Sequence, residues 1–388
     1  MIFLHRAWLR CRAVFGRCFQ LLALGLAVAL GSAATAEQSQ TLWPGHLLAE
    51  LARVDRHSEA KIGVYVQDLD TGVSASYKGG QRWYLASMVK VPVAVAVLRG
   101  MERGQYTLDT TLTLRADDYV DGAGKTNSHP VGSPLSIRYL LGQMMVYSDN
   151  TASDMLIDLV GISEVNALVS TLVPDGFQRI TGLADIRRML YGSLVPRADK
   201  LSGQDLILLN RERVDADRLA LLSRLVDAPA TPFNLPTLDA AYKAYYASGL
   251  NSGRLDAFGE FLGLLADGKL LSPEHTRFLL QLMEKSATGT HRIKAGLPPD
   301  AKFAHKTGTQ RRRTCDSGLV RVAEDLHERR VIVVACTRDE PSLADSEFAL
   351  MQVGAAICRS GLLTKGLIDA PHCHTLPNVV RLPADPAR

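Results

Sequence analysis

The chain has 388 residues, 47% of them hydrophobic and 22% charged, the balance of an ordinary globular protein of one large domain or two modest ones. Its formal net charge of +4 sits at one end: residues 1–36 hold Arg6, Arg10, Arg12 and Arg17 and no acid, and the remainder is balanced. That balance removes the electrostatic case for a nucleic-acid partner.

Residues 1–36 read as a secretory signal. A basic stretch precedes the apolar run LLALGLAVALG at 21–31, and a small-x-small pattern, Ala34 to Ala36, precedes Glu37. An uncleaved anchor is the alternative, but the run is short for a membrane span. Either way the rest is exported, to the periplasm or beyond, with no membrane partner after cleavage. Outside the signal lie Cys315, Cys336, Cys358 and Cys373, an even number that suggests disulfides in an exported protein.

Apolar spacing over 44–57 predicts an amphipathic helix. The alternation of AKIGVYVQDLDTGVSASYKGG around Asp-Thr-Gly predicts a β-hairpin. An apolar helix follows from about Ser87 to Arg103. LSIRYLLGQMMVYSDNTASDMLIDLVG reads as two helices separated by a polar knuckle, with SEVNALVSTLV as another. The stretch 180–250 is less regular. Clear helices return in GRLDAFGEFLGLLADGKLLSPEHTRFLLQLMEK, the second opened by Ser272-Pro273.

The period then changes. KFAHKTGT, CDSGLVRVA and RRVIVVACT read as three strands, and DSEFALMQVGAAICRSG as a helix. The tail 366–388 reads as a loosely held loop. The expected fold is α/β (α+β): an antiparallel sheet of about five strands, built from 44–85 and 295–362 and flanked by helices. An all-helical lobe spans about 87–290. A ligand site between the lobes is the default expectation.

Ser87 and Lys90 lie three apart in an otherwise apolar helix, so they share a face. Burial disfavours the ammonium form, and an amine beside a serine hydroxyl makes an activated nucleophile. Backbone N–H groups at a helix start also suit an oxyanion. The plain alternative is a Ser87 N-cap with Lys90 snorkelling to solvent. Two further elements change the balance. YSDN offers Ser148, Asp149 and Asn150 at a turn, and HKTGT offers Lys306, Thr307, Gly308 and Thr309 on a strand.

Ser-x-x-Lys, Ser-Asp-Asn and Lys-Thr-Gly in that order resemble the penicillin-recognising serine hydrolases, class A β-lactamases most closely. The resemblance covers most of 45–362 and extends to the 61-residue gap between the first two motifs. It implies a β-lactamase/transpeptidase-like fold within a domain spanning 37–365. It also implies roles. Ser87 attacks the carbonyl, Lys90 is base or relay, and Ser148 passes a proton to the leaving nitrogen. Asn150 binds the substrate's amide side chain, and Lys306 and Thr307 hold its carboxylate. The N–H groups of Ser87 and Thr309 form the oxyanion hole, and Gly308 lets the strand approach closely. The implied partner is a small-molecule β-lactam or a peptidoglycan peptide, the implied cofactor none, and the expected state a monomer.

Two features depart from that pattern. Class A enzymes hydrolyse the acyl-enzyme with a glutamate in a Glu-x-x-x-Asn loop, but RITGLADIRRMLYGSLVP contains no glutamate. Asp185, 37 residues beyond Ser148, is the nearest carboxylate, with pairing to Arg187 or Arg188 as its plainer role. The gap from Ser148 to Lys306, 158 residues, is stretched by an insertion near 191–250, from which Glu212, Asp215 or Asp217 could also supply a carboxylate. A deacylating group makes the protein a β-lactamase; without one it is a penicillin-binding D,D-peptidase or esterase with slow or no deacylation.

Three smaller signals remain. Arg311, Arg312 and Arg313 offer positive charge near Lys306 for an anionic substrate, or simply a solvated turn. His372 and His374 flank Cys373 and on a strand would face one side, as two ligands of one zinc do, which keeps open a metal-dependent hydrolase or a metal- or cell-wall-binding module. If the last two strands turn near residue 326, Cys315 and Cys336 are cross-strand neighbours able to form a disulfide or a buried thiol pair. Cys358 and Cys373 then pair by elimination.

Overall fold

The structure, a computed structural model, describes residues 42–227, 233–324 and 327–373. The expected signal segment therefore lies outside the described residues. The first helix, α1 (42–57), buries Trp43, Leu47, Leu51 and Val54 along one stripe. Strands β1 (Lys61–Asp68) and β2 (Ser74–Tyr77) form the expected hairpin, with Val66 opposite Ala75. Strand β3 (Arg82–Tyr84) leads through a 3₁₀ turn, Ala86–Val89, into α2 (Lys90–Glu102).

The helical lobe begins with the short strands β4 (Thr111–Thr113) and β5 (Pro134–Ser136). It continues through α3 (Ile137–Val146), α4 (Asn150–Val160), α5 (Ile162–Leu172) and α6 (Leu183–Leu194). Next come α7 (Gly203–Arg211), α8 (Asp215–Leu225), α9 (Leu238–Ala247), strand β6 (Ser252–Arg254), α10 (Leu255–Ala266), α11 (Pro273–Glu284) and α12 (Ile293–Gly296). The chain then returns to the sheet through β7 (Lys302–Gln310), β8 (Arg313–Ala323) and β9 (Glu328–Arg338), followed by α13 (Leu343–Arg359).

The sheet has five strands in the order β2-β1-β9-β8-β7, all antiparallel, so the N-terminal hairpin and the C-terminal strands join at β1 and β9. Alternation along β9 sorts its side chains between two cores. Val331, Val333 and Ala335 pack with Trp43, Leu47, Leu350 and Val353 of α1 and α13. Ile332, Val334 and Cys336 pack with the larger core, which contains α2 and α10. Helix α2 is buried on every side, as a helix apolar all round must be. Its Pro92 sits at the third position, where an N–H would have no helical partner.

Both cysteine pairs are bonded: Cys315 to Cys336 across β8 and β9, with Cα atoms 4.0 Å apart, and Cys358 to Cys373. The second bond ties down a stretch read from the sequence as loose, and Ala370 and Cys373 are buried there. The region 180–250, read as less regular, contains the four helices α6–α9. Two of them start on side-chain caps: Ser202 and Asp205 form a capping box on α7, and the Thr237 hydroxyl accepts the Ala240 N–H on α9. Among the described residues no single helix is long and apolar enough to cross a membrane.

Candidate active site

Strand β7 lies at the sheet edge and faces the turn that carries Ser87. Their approach is backbone to backbone. A Cβ on Gly308 would lie 2.5 Å from the Leu85 carbonyl oxygen, 3.0 Å from Ala86 Cβ and 3.3 Å from the Ser87 nitrogen. Only glycine fits there. The neighbouring Ala86 has φ of 49°, a left-handed conformation that costs a non-glycine residue energy and aims the following serine. The turn is pinned by the Leu85 N–H donating to the Asn251 carbonyl and the Met88 N–H to the Leu85 carbonyl.

Ser87 is not a cap. Neither the 3₁₀ turn nor α2 has a side-chain N-cap, and among the described residues the Ser87 hydroxyl makes no hydrogen bond. The α-helix begins at Lys90 rather than at Ser87, and residues three apart on a 3₁₀ turn eclipse one another. Lys90 does not snorkel either: it is fully buried. Its Nζ donates to the Ser148 carbonyl at 2.6 Å, Asn150 Oδ1 at 2.7 Å, Ser148 Oγ at 3.3 Å and the Asp149 carbonyl at 3.4 Å. Burial lowers its pKa to about 7; the Asp149 and Asp154 carboxylates oppose that shift, and the Arg187 charge adds to it.

Ser148 sits in the knuckle between α3 and α4 at φ of 63°, a second strained residue. Its Oγ also accepts from Lys306 Nζ at 2.9 Å, so two amines converge on one hydroxyl oxygen. Asp149 holds the knuckle in place: its carboxylate caps α4 at the Ala152 N–H and accepts the Thr126 N–H, both at 2.9 Å. Burial pushes Lys306 well below the usual lysine range, helped by the Lys90 and Arg292 charges and opposed by Asp316. Thr307 Oγ1 lies 2.6 Å from Thr288 Oγ1, and Thr309 is exposed at the open edge.

Arg292 belongs to this site and has no sequence signature. Almost fully buried, it donates to the carbonyls of Gly308 and Cys315 at 3.2 and 2.9 Å, and to Thr309 Oγ1 at 2.7 Å. Glu347 pairs with its Nε at 3.1 Å. Three basic side chains, Lys90, Lys306 and Arg292, are thus buried around Ser148 and Gly308.

The remaining candidates lie elsewhere. Asp185 is exposed and pairs with Arg188 at 3.7 Å. Arg311 turns to the insertion, where its guanidinium bonds Asp239 and, at 2.7 Å, Asp215. Asp217 is exposed, and the Glu212 carbonyl accepts from Arg218. None of these four acids is hydrogen-bonded to Ser87, Lys90 or Ser148. The carboxylate close to Lys90 on the α6 side is Asp154, which accepts the first N–H groups of α6, from Leu183 at 2.7 Å and Ala184 at 2.8 Å. Burial of its carboxyl group raises its pKa to about 6, against those two hydrogen bonds. Cys373 is disulfide-bonded and so offers no thiolate to a metal. The His372 side chain and His374 lie outside the described residues, and among the described residues no group of three potential metal ligands occurs.

A five-stranded antiparallel sheet, a helical lobe and a serine–lysine cluster at their junction define the class that the three motifs resemble. The chain belongs to the β-lactamase enzyme family, whose model matches residues 46–360. It is 27% identical to a β-lactamase of Mycobacterium tuberculosis over 302 residues, 76% of this chain and 81% of that one. A β-lactamase of Proteus vulgaris is 30% identical over 112 residues, 29% of this chain, and the match spans only 37% of that enzyme. Among solved structures, PBP-A superposes with a TM-score of 0.61 at 20% identity, covering 81% of this chain and 95% of that one. A β-lactamase from Sphaerobacter thermophilus gives 0.59 at 22% identity, covering 82% and 98%. These two likenesses establish the fold.

Proposed function

We propose that the protein is an exported serine β-lactamase that opens the lactam ring through a Ser87 acyl-enzyme. One observation carries this reading: Ser148 Oγ accepts from both Lys90 and Lys306 beside the turn that presents Ser87. Ser87 Oγ bonds to the lactam carbonyl carbon and gives its proton to Lys90 as the carbonyl electrons move onto oxygen. The N–H groups of Ser87 and Thr309, brought close by Gly308, receive that oxyanion. As the oxyanion collapses and the lactam C–N bond breaks, Ser148, whose lone pairs are engaged by amines, gives its proton to the leaving nitrogen and takes back from Lys90 the proton that came from Ser87. Lys306, Thr307 and Arg292 bind the substrate carboxylate, and Asn150 its amide. Water then attacks the acyl carbon as it gives a proton to neutral Lys90, the Ser87 Oγ–carbon bond breaks, and Lys90 returns that proton to Ser87 Oγ, which restores the starting state.

A second reading, a penicillin-binding D,D-peptidase with slow deacylation, is favoured by a specific observation. All four acceptors of Lys90 are uncharged oxygens, and Asp185 points to solvent. Steady-state hydrolysis of a chromogenic cephalosporin by the purified protein separates the two. Sustained turnover that is abolished in Ser87→Ala and unchanged by chelator supports the β-lactamase. A single turnover followed by arrest supports the peptidase, and turnover lost on chelation overturns both.

A further inference from the structure

Helix α6 begins where the resemblance expects a glutamate, and it delivers an arginine instead. The Arg187 side chain is only 15% exposed, and its Nε donates to Asp121 Oδ1 at 2.7 Å, where Asp121 is 6% exposed. The Asp121 backbone carbonyl accepts Asn150 Nδ2 at 2.6 Å, and Asn150 Oδ1 accepts Lys90 Nζ at 2.7 Å. A continuous chain thus runs from Arg187 through Asp121 and Asn150 to Lys90. Gly122 permits it, because a Cβ there would lie 2.6 Å from Asn150 Nδ2.

We propose that Arg187 is a positioning residue for Lys90, acting through Asp121 and Asn150 and balancing the charge around the lysine amine. The inference rests on Lys90 being the base of the proposed reaction. The charged groups facing Lys90 are Asp149 at the cap of α4, Asp154 on α4, Arg187 on α6 and Lys306 on β7, with Asp121 paired to Arg187. The two members of the Arg187–Asp121 pair therefore act on Lys90 with opposite signs. The guanidinium disfavours the ammonium form of Lys90, adding to the larger effect of burial, and a carboxylate ion-paired to that guanidinium acts in the opposite sense by simple Coulomb attraction. In this arrangement Lys90 can take the serine proton at neutral pH without a carboxylate partner.

The test titrates Lys90 in the intact protein by ¹³C NMR of its ε-carbon, assigned with Lys90→Arg, alongside the pH dependence of Ser87 acylation by benzylpenicillin. Arg187→Gln and Asp121→Asn break the same ion pair and so lose similar packing. The proposal expects opposite shifts of the Lys90 midpoint, alkaline in Arg187→Gln and acid in Asp121→Asn, each of about one pH unit, with Arg187→Lys close to wild type. A purely structural pair would move both midpoints together or neither, and that result overturns the proposal. If a variant does not fold, the remaining one against Arg187→Lys decides by the sign of its shift. Absence of acylation in the wild type would sink the functional reading while the NMR midpoints still test the positioning role.

Discussion

Lys306 Nζ donates to Ser148 Oγ across 2.9 Å, a single hydrogen bond that joins the edge of the sheet to the knuckle of the helical lobe. Lys90 approaches the same oxygen at 3.3 Å, so the hydroxyl proton is left to point away from both amines. Ser148→Ala removes that proton donor without disturbing Lys90, whose bonds to the Ser148 carbonyl and Asn150 remain. We expect acylation by penicillin to slow by about a hundredfold with the thermal midpoint little changed, measured by stopped-flow and calorimetry. Unaltered acylation would remove Ser148 from the reaction.

Lys90 acts as a base only when neutral. With its pKa lowered to about 7, chiefly by burial, acylation should rise with pH through that value and level off above it. Stability follows the same group. Between the folded value near 7 and the unfolded value of 10.5 the folded state binds fewer protons, so this contribution to stability increases with pH across that window. An acylation profile flat from about pH 5.5 to 8.5 would contradict the assignment of Lys90 as base.

Gly308→Ala would place a methyl against the Leu85 carbonyl and Ala86 Cβ, neither of which is a flexible side chain. Strand β7 must then move away from Ser87. A displacement of this kind costs about a hundredfold in acylation rate. Lys306 and Thr309 lie on the same strand and move with it, so the loss is expected in kcat/KM.

Arg311 fastens the insertion to the turn after β7 through Asp215 and Asp239, and the Tyr246 hydroxyl donates to its carbonyl at 2.7 Å. The guanidinium is partly solvated, so Arg311→Ala should cost about 1 kcal/mol or less in global stability. Its effect is local: hydrogen exchange should accelerate in α8 and α9 and stay unchanged in β8 and β9. Uniform acceleration would mean that the insertion is not a separately fastened unit.

The sheet was legible because β1, β8 and β9 carry strong apolar runs and the hairpin its Asp-Thr-Gly turn, and because cross-strand register needs only a turn position to place Cys315 opposite Cys336. The two lysines and Ser148 were legible as short motifs. What was not legible depends on distant chain. Arg292 sits in an unremarkable THRIKAG and gains its role only from Gly308, Thr309 and Cys315 folding over it. Asp154 reads as one more polar residue of a helix until α6 presents its N–H groups. Helices α6–α9 were obscured by many arginines and aspartates that pair between elements, as Arg187 does with Asp121 and Arg311 with Asp215. The resemblance pointed to Asp185, whose exposure and pairing with Arg188 depend on how α6 is set in the fold.

The proposed reaction turns on a covalent bond to Ser87. The most direct measurement is the intact mass of the protein, sampled from milliseconds to hours after mixing with benzylpenicillin. The expected result is an adduct of the full antibiotic mass that maps to the peptide containing Ser87, declines as the penicillin is consumed and is absent in Ser87→Ala. An adduct that persists in Ser87→Ala, or neither adduct nor penicillin loss in the wild type, would contradict it.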